Sequence, residues 1–270
     1  MELQNNFAKY GFIVLLPYME LTSGKYIYFA SDIHLGYPDP DQSRSREQLF
    51  VRWLDEIKHS AEEIYLLGDI FDFWFEYRQV VPRGFTRFLG KLGELTDDGI
   101  PVHFFTGNHD IWIFDYLPKE TGVTVHKNPI TKTIQGQKFY IAHGDGLGKG
   151  DFSYKLLKKI FTCAPLQWLF SRLHPNFALW FGHQWSLKSR NSKDSSAFEI
   201  NEGNELLINY AREVEKSDHY DYYIFGHRHV PNDMTIESGS KVIYLGDWIV
   251  HNTYGIFDGR TFTLRSFPGK

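Results

Sequence analysis

The stretch KYIYFASDIHLG at residues 25–36 decides the architecture: a run of strand-forming residues leads straight into a glycine-marked turn carrying Asp32 and His34. The same plan recurs four times. EIYLL at 63–67 leads into GDIFD (68–72), and PVHFF at 101–105 into GNHD (107–110). KFYIA at 138–142 leads into HGD (143–145), and DYYIF at 221–225 into GHRH (226–229). Each lead-in is short and rich in β-branched and aromatic residues, which reads as a strand ending at a loop. Side chains at the C-terminal ends of several strands converge on one edge of a sheet, where α/β proteins place their sites.

The five loops supply Asp, Asn and His but no thiolate. That donor set suits Mn²⁺, Fe²⁺ or Zn²⁺ and argues against a structural zinc. It suffices for two divalent ions at one site, and two ions about 3.5–4 Å apart clamp the attacking and leaving oxygens of an in-line displacement. A carboxylate shared between them would give one oxygen to each and offset their repulsion. The pattern points to hydrolysis of a phosphate ester. Any one of these motifs alone would mean little; five in order carry the reading. The other seven histidines (His59, His103, His126, His174, His183, His219 and His251) read as surface, strand or core residues. Asp247 of LGDW reads as the cap of a terminal strand, outside the site.

The ordered series DxH, GD, GNHD, H and GHxH, from Asp32 to His229, resembles the calcineurin-like metallophosphoesterase superfamily. The resemblance implies an α/β fold of two mixed β-sheets packed face to face, with flanking helices and a helical cap insertion. It implies one ion held by Asp32, His34, Asp69 and His229, and a second by Asp69, Asn108, His143 and His227, with Asp69 bridging. His109 would sit over the phosphate as general acid or charge stabiliser, and Asp110 would orient it.

Within the superfamily the pattern is similar to the UDP-2,3-diacylglucosamine hydrolases of lipid A biosynthesis. GDIFDFW (68–74), the insertion after HGDGL (143–147) and the polar run SRNSKDSS (189–196) carry this likeness. It implies a Mn²⁺-dependent enzyme that cleaves a pyrophosphate to give UMP and a diacylglucosamine 1-phosphate. Its partners would be a nucleotide-linked glycolipid and a membrane surface, its place cytoplasmic and peripheral on the inner face of a bacterial membrane. Asp151, Tyr154, Arg190, Ser192 and Lys193 would contact the sugar phosphate or its polar rim. The chain departs from that family at His109, where its better-known members carry arginine, a residue that binds phosphate without acting as an acid. A phosphoesterase acting on another lipid- or nucleotide-linked phosphate stays open, as does a metal-free scaffold on the same fold.

Composition sets the frame. The chain has 270 residues, 42% of them hydrophobic and 17% aromatic, enough for a large core. Its net charge of −4 gives no signal for nucleic acid. The one cysteine, Cys163, excludes an internal disulfide. FIVLL at 12–16 is too short to span a membrane, so residues 1–24 read as an extension or an extra edge strand before a domain at 25–270. The cap expected at about 147–200 stands apart: residues 149–193 hold eight Lys or Arg against one acid, together with nine aromatics. Beside a phosphatase centre, a basic apolar helical lobe suits an anionic substrate with a greasy part. The same composition also fits helices that pack their aromatics on the core, or a base-stacking surface.

Overall fold

Three of the lead-ins form adjacent strands of one sheet, and two form adjacent strands of another. In the first, β2 (Tyr26–Ala30), β3 (Ala61–Leu67) and β4 (Val102–Phe105) run parallel and are continued by β5 (Thr124–His126). On the other side β11 (Thr253–Phe257) joins β2 antiparallel and β12 (Phe262–Ser266) forms the edge. In the second sheet β7 (Gln137–Ala142) and β8 (Tyr222–Phe225) are parallel neighbours. They are flanked by β6 (Ile130–Ile134) and β1 (Val14–Leu15) on one side, and by β10 (Lys241–Leu245) and β9 (Pro231–Thr235) on the other. The computed structural model describes residues 13–149, 152–191 and 205–269.

Both sheets are mixed, and both are buried on two faces. Alternate residues Ile27, Phe29, Tyr65 and Leu67 of the first sheet share one core with Phe139, Ile141, Tyr222 and Ile224 of the second. The residues between them face outward under helices. Tyr28, Ala30, Ile64 and Leu66 pack with α1 (Pro40–Ile57), α2 (Thr86–Asp97) and α3 (Tyr116–Thr121). Two-sided burial is why the lead-ins read as continuous apolar runs and not as alternating ones.

After β7 the chain leaves the sandwich for α4 (Phe152–Thr162), α5 (Ala164–Phe170) and α6 (Pro175–Asn191). It returns through α7 (Leu206–Val214), whose apolar side covers Tyr140, Tyr223 and Phe225 on the outer face of the second sheet. The bulky residues of α4–α6 are not absorbed by the core: Phe152 is 83% exposed, Trp168 60% and Trp180 58%. Of the readings open for this segment, packing onto the core is therefore set aside for these three. No described helix is long and apolar enough to cross a membrane.

A polar link within the sandwich helps tie the sheets together. Lys132 on β6 reaches across the sandwich to Glu63 on β3, with Nζ 2.6 Å from each carboxylate oxygen. Tyr65 donates its hydroxyl to the same carboxylate at 2.6 Å, and His103 Nε2 stands 3.7 Å away. Burial pushes the Glu63 carboxyl up, but His103 and Lys132 outweigh it and hold the group at about 2. A carboxyl lowered in this way lends stability that is full above its ordinary value of 4.5 and is lost as pH falls towards about 2. Lys132→Met should cost about 3–5 kcal/mol in urea unfolding, because it leaves a buried charge without its partner. Glu63→Leu with Lys132→Met should recover most of that loss; a double variant as unstable as the single one would contradict this account.

Candidate metal centre

The five loops meet where the parallel strands of both sheets end. Their backbones are bent to aim side chains inward. Asp32, His34, Asp69, His227 and His229 all adopt left-handed conformations, with φ between 48° and 66°. An L-residue pays about 1–2 kcal/mol for this, and Asp and His tolerate it better than most. Five of the seven expected ligands thus sit in backbone that regular secondary structure would not use. The loop of Asp32 and His34 is fixed from α1, where the buried Arg46 donates to the carbonyls of Ile33, His34 and Tyr37 at 3.2, 2.9 and 2.9 Å. Gly107 lets the GNHD loop lie against Asp69: a Cβ there would stand 2.2 Å from Asp69 Oδ1.

Three sets of donors result among the described residues; one of them, His34, Asp72 and His109, includes residues that are not expected ligands, and the other two are made wholly of expected ligands. Of these two, Asp32, His34 and His229 form one, and Asp69, His143 and His227 the other, each with its ligand atoms within 4.8 Å of one another. Asp32 Oδ1 lies 3.4 Å from His229 Nε2 and 3.6 Å from His34 Nε2, and Asp69 Oδ2 lies 3.3 Å from His143 Nε2. Asp69 Oδ2 is also 3.8 Å from His34 Nε2, so this oxygen stands between the sets. Asp69 Oδ1 instead accepts the His109 backbone N–H at 2.9 Å. The expected sharing of one carboxylate oxygen per ion gives way to a single oxygen facing both.

These residues fit divalent cations. Asp32 Oδ1, Asn108 Oδ1 and His143 Nε2 are buried and have no hydrogen-bond partner among the described residues, whereas buried polar atoms are ordinarily paired. His143 donates Nδ1–H to the Leu67 carbonyl at 2.6 Å, which turns Nε2 towards Asp69. Burial raises the Asp69 carboxyl, but His143 and His109 outweigh it and hold the group well below its usual range. Burial lowers His143, yet Asp69 overrides it and carries the imidazole up to about 10. The same field that draws a proton onto His143 would draw a cation in its place.

Around the donors the structure redistributes several roles. Asp110, expected to orient His109, turns away from that ring. Its oxygens accept the backbone N–H groups of Gly107 at 2.7 Å and Ile70 at 2.9 Å, locking the GDIFD and GNHD loops together. Burial and the nearby Asp69 push its carboxyl up to about 7. The His109 ring is held by the Asp72 carbonyl at 2.9 Å and Ser186 Oγ at 3.1 Å. Asp247, read as a cap outside the site, does cap its turn through Val250 N and His251 N at 3.0 Å. Its other oxygen lies 3.4 Å from His229 Nδ1, so it also orients a donor. The repeat of Gly-Asp at 68–69 and 246–247 was the available signal. Asp72 and His183 were missed as well: Asp72 Oδ1 is 3.6 Å from His34 Nδ1, and its Oδ2 is 3.5 Å from His183 Nδ1.

A cavity of about 390 Å³ opens beside Asn108 and His109 and runs between α4, α5 and α6. Leu157, Phe161, Phe170, Phe181 and Trp185 make most of its wall apolar. Trp112 closes it towards the sandwich, with its Nε1 donating to the Phe161 carbonyl at 2.7 Å. Tyr154 lines the same cavity and donates its hydroxyl to Asp145, which Lys158 also holds at 2.6 Å. Of the other expected substrate contacts, Asp151, Ser192, Lys193 and the side chain of Arg190 lie outside the described residues.

Comparison with known proteins agrees with this geometry. The calcineurin-like phosphoesterase family model matches residues 25–231. The UDP-2,3-diacylglucosamine hydrolase of Porphyromonas gingivalis is 42% identical over 255 residues, covering 89% of this chain and 97% of that protein. The proteins of the same name from Vibrio parahaemolyticus and Vibrio vulnificus are 29% and 30% identical, over 89% and 82% of this chain and 97% and 88% of theirs. Matched from β2 into the first residue of β9, with every one of the five loops inside the match, the chain belongs to the calcineurin-like phosphoesterase family.

Proposed function

We propose that the protein hydrolyses the pyrophosphate of UDP-2,3-diacylglucosamine to UMP and 2,3-diacylglucosamine 1-phosphate, a step of lipid A synthesis. The observation that carries this reading is the apolar cavity ending at Asn108 and His109, which gives acyl chains a place beside the donor sets. The hydrolases named above, one of them 42% identical, support it. Asp32, His34, Asp69 and His229 would hold one divalent ion, and Asp69, Asn108, His143 and His227 the other, with Asp69 shared. When bound, two such ions, Mn²⁺ by this reading, supply Lewis-acid polarisation of the phosphate and an acidified water.

The chain's own residues do the rest. His109 meets the phosphate with the ring nitrogen not held by Asp72 and Ser186, as donor to the developing charge or to the leaving oxygen. Tyr154, with Asp151, Arg190, Ser192 and Lys193, would receive the sugar phosphate. Each acyl methylene buried among Leu157, Phe161 and Phe170 contributes about 0.8 kcal/mol. The exposed Trp168 and Trp180, with Arg172 lying 4.6 Å from the Trp168 ring centroid, suit contact with an anionic bilayer from which such a substrate is drawn.

Mass-spectrometric analysis of products from UDP-2,3-diacylglucosamine should find UMP and the lipid monophosphate, and removing both acyl chains should lower kcat/KM by at least about 10²-fold. Equal kcat/KM for acylated and deacylated substrates would reduce the reading to a phosphoesterase of another substrate.

Loading the centre should also release protons. A metal ligand must be deprotonated, and His143 is held protonated up to about 10 in the metal-free protein. Affinity for Mn²⁺ should therefore climb with pH up to that value. The same raised imidazole stabilises the metal-free fold fully below about 6.5, an effect lost as pH rises through about 10. Calorimetric titration with Mn²⁺ at pH 8, in buffers of different ionisation enthalpy, should show about one proton released or more. No release between pH 7 and 9 would contradict the assignment of His143.

A further inference from the structure

Helix α6 meets the GDIFDFW and GNHD loops at three neighbouring points. A Cβ on Gly182 would stand 2.2–2.5 Å from atoms of the Phe73 ring, so the helix backbone approaches as closely as glycine permits. The next residue, His183, places Nδ1 3.5 Å from Asp72 Oδ2. One turn after Gly182, the buried Ser186 places Oγ 3.1 Å from His109 Nδ1.

Two contacts at Nδ1 set which way the His109 ring works. His109 Nδ1 also lies 2.9 Å from the backbone oxygen of Asp72. A carbonyl oxygen can only accept, so Nδ1 carries the hydrogen and shares it between Asp72 O and Ser186 Oγ. Nε2 is then the nitrogen that the proposed function turns towards the substrate. Ser186 belongs to the same turn as Phe181 and Trp185, which line the apolar cavity.

We propose that Ser186 is a positioning residue for His109: the cap helix, docked through Gly182 on Phe73, completes a catalytic group that the sandwich alone leaves half-held. Chemistry and chamber then share one helix turn. A substrate part seated against Phe181 and Trp185 bears on the aim of His109 as well as on affinity, so the cap contributes to kcat and not only to KM. This inference rests on the reading of His109 as the group over the phosphate.

Two measurements test it, the first without any substrate. In the full chain loaded with diamagnetic Zn²⁺, ¹⁵N NMR of the histidine rings should show a hydrogen on His109 Nδ1; an unprotonated Nδ1 would overturn the proposal. The second is a kinetic cycle on UDP-2,3-diacylglucosamine. Ser186→Ala should lower kcat roughly tenfold while leaving two bound ions and a KM within about twofold, a fraction of what a whole general acid supplies. In a His109→Ala background the same substitution should change kcat by less than about twofold. An equal loss in both backgrounds, or a loss confined to KM, would show that Ser186 acts on binding or folding and not through His109. If the wild-type protein leaves UDP-2,3-diacylglucosamine intact, the functional reading fails by itself, and the ring signals still decide: His109 signals that Ser186→Ala leaves unchanged would overturn the role of Ser186.

Discussion

The structure turns on one carboxylate oxygen. Asp69 Oδ2 stands 3.8 Å from His34 Nε2, carried by a loop of its own sheet, and 3.3 Å from His143 Nε2, carried by a strand end of the other. It can do so only while the two sheets keep their face-to-face register. The neighbouring Asp32 is tied across the same gap, accepting the His227 backbone N–H at 2.9 Å. Two carboxylates buried this close repel each other, and the surrounding imidazoles outweigh that repulsion and hold both carboxyls below their usual range. Paired divalent cations would serve the same purpose. The shared core of Phe29, Tyr65, Phe139 and Tyr222 holds the two halves of the centre in place, so packing and chemistry are a single constraint here.

Much of this was legible in the residues. All five lead-ins are strands, within a residue or two of their expected ends, because aromatic and β-branched runs stopped by glycine leave the backbone little choice. The donors could be found because they sit next to those glycines in chain order. What could not be read was contact between parts far apart in sequence. Asp110 and His109 are adjacent, which suggested a partnership, yet adjacent side chains on a tight loop point apart; Asp110 faces the Gly68–Asp69 turn and His109 faces the cap. Asp247 lay beyond the last expected donor, His229, and looked external. The strand order returns β10 beside β8, which brings Asp247 to His229. Ser186 and His183 gave no signal, because a serine or histidine on an amphipathic helix is ordinary until the helix is docked.

The cap is a different kind of structure from the sandwich. Its large side chains are shared between a chamber and the solvent, as Phe161 and Phe170 around Trp112 contrast with the exposed Phe152 and Trp168. An apolar surface of that kind is costly for a domain that meets only water, and it suits one that meets lipid. In the proposed function the basic residues among those aromatics would serve the same end. In this account the sandwich supplies a general phosphoester centre, and the cap decides what reaches it.

Anomalous diffraction at the manganese edge, from crystals grown with Mn²⁺, tests the centre most directly. The account predicts two peaks, one against Asp32, His34 and His229 and one against Asn108, His143 and His227, with Asp69 Oδ2 within bonding distance of both. A single peak, or one seated instead among His34, Asp72 and His109, would contradict it.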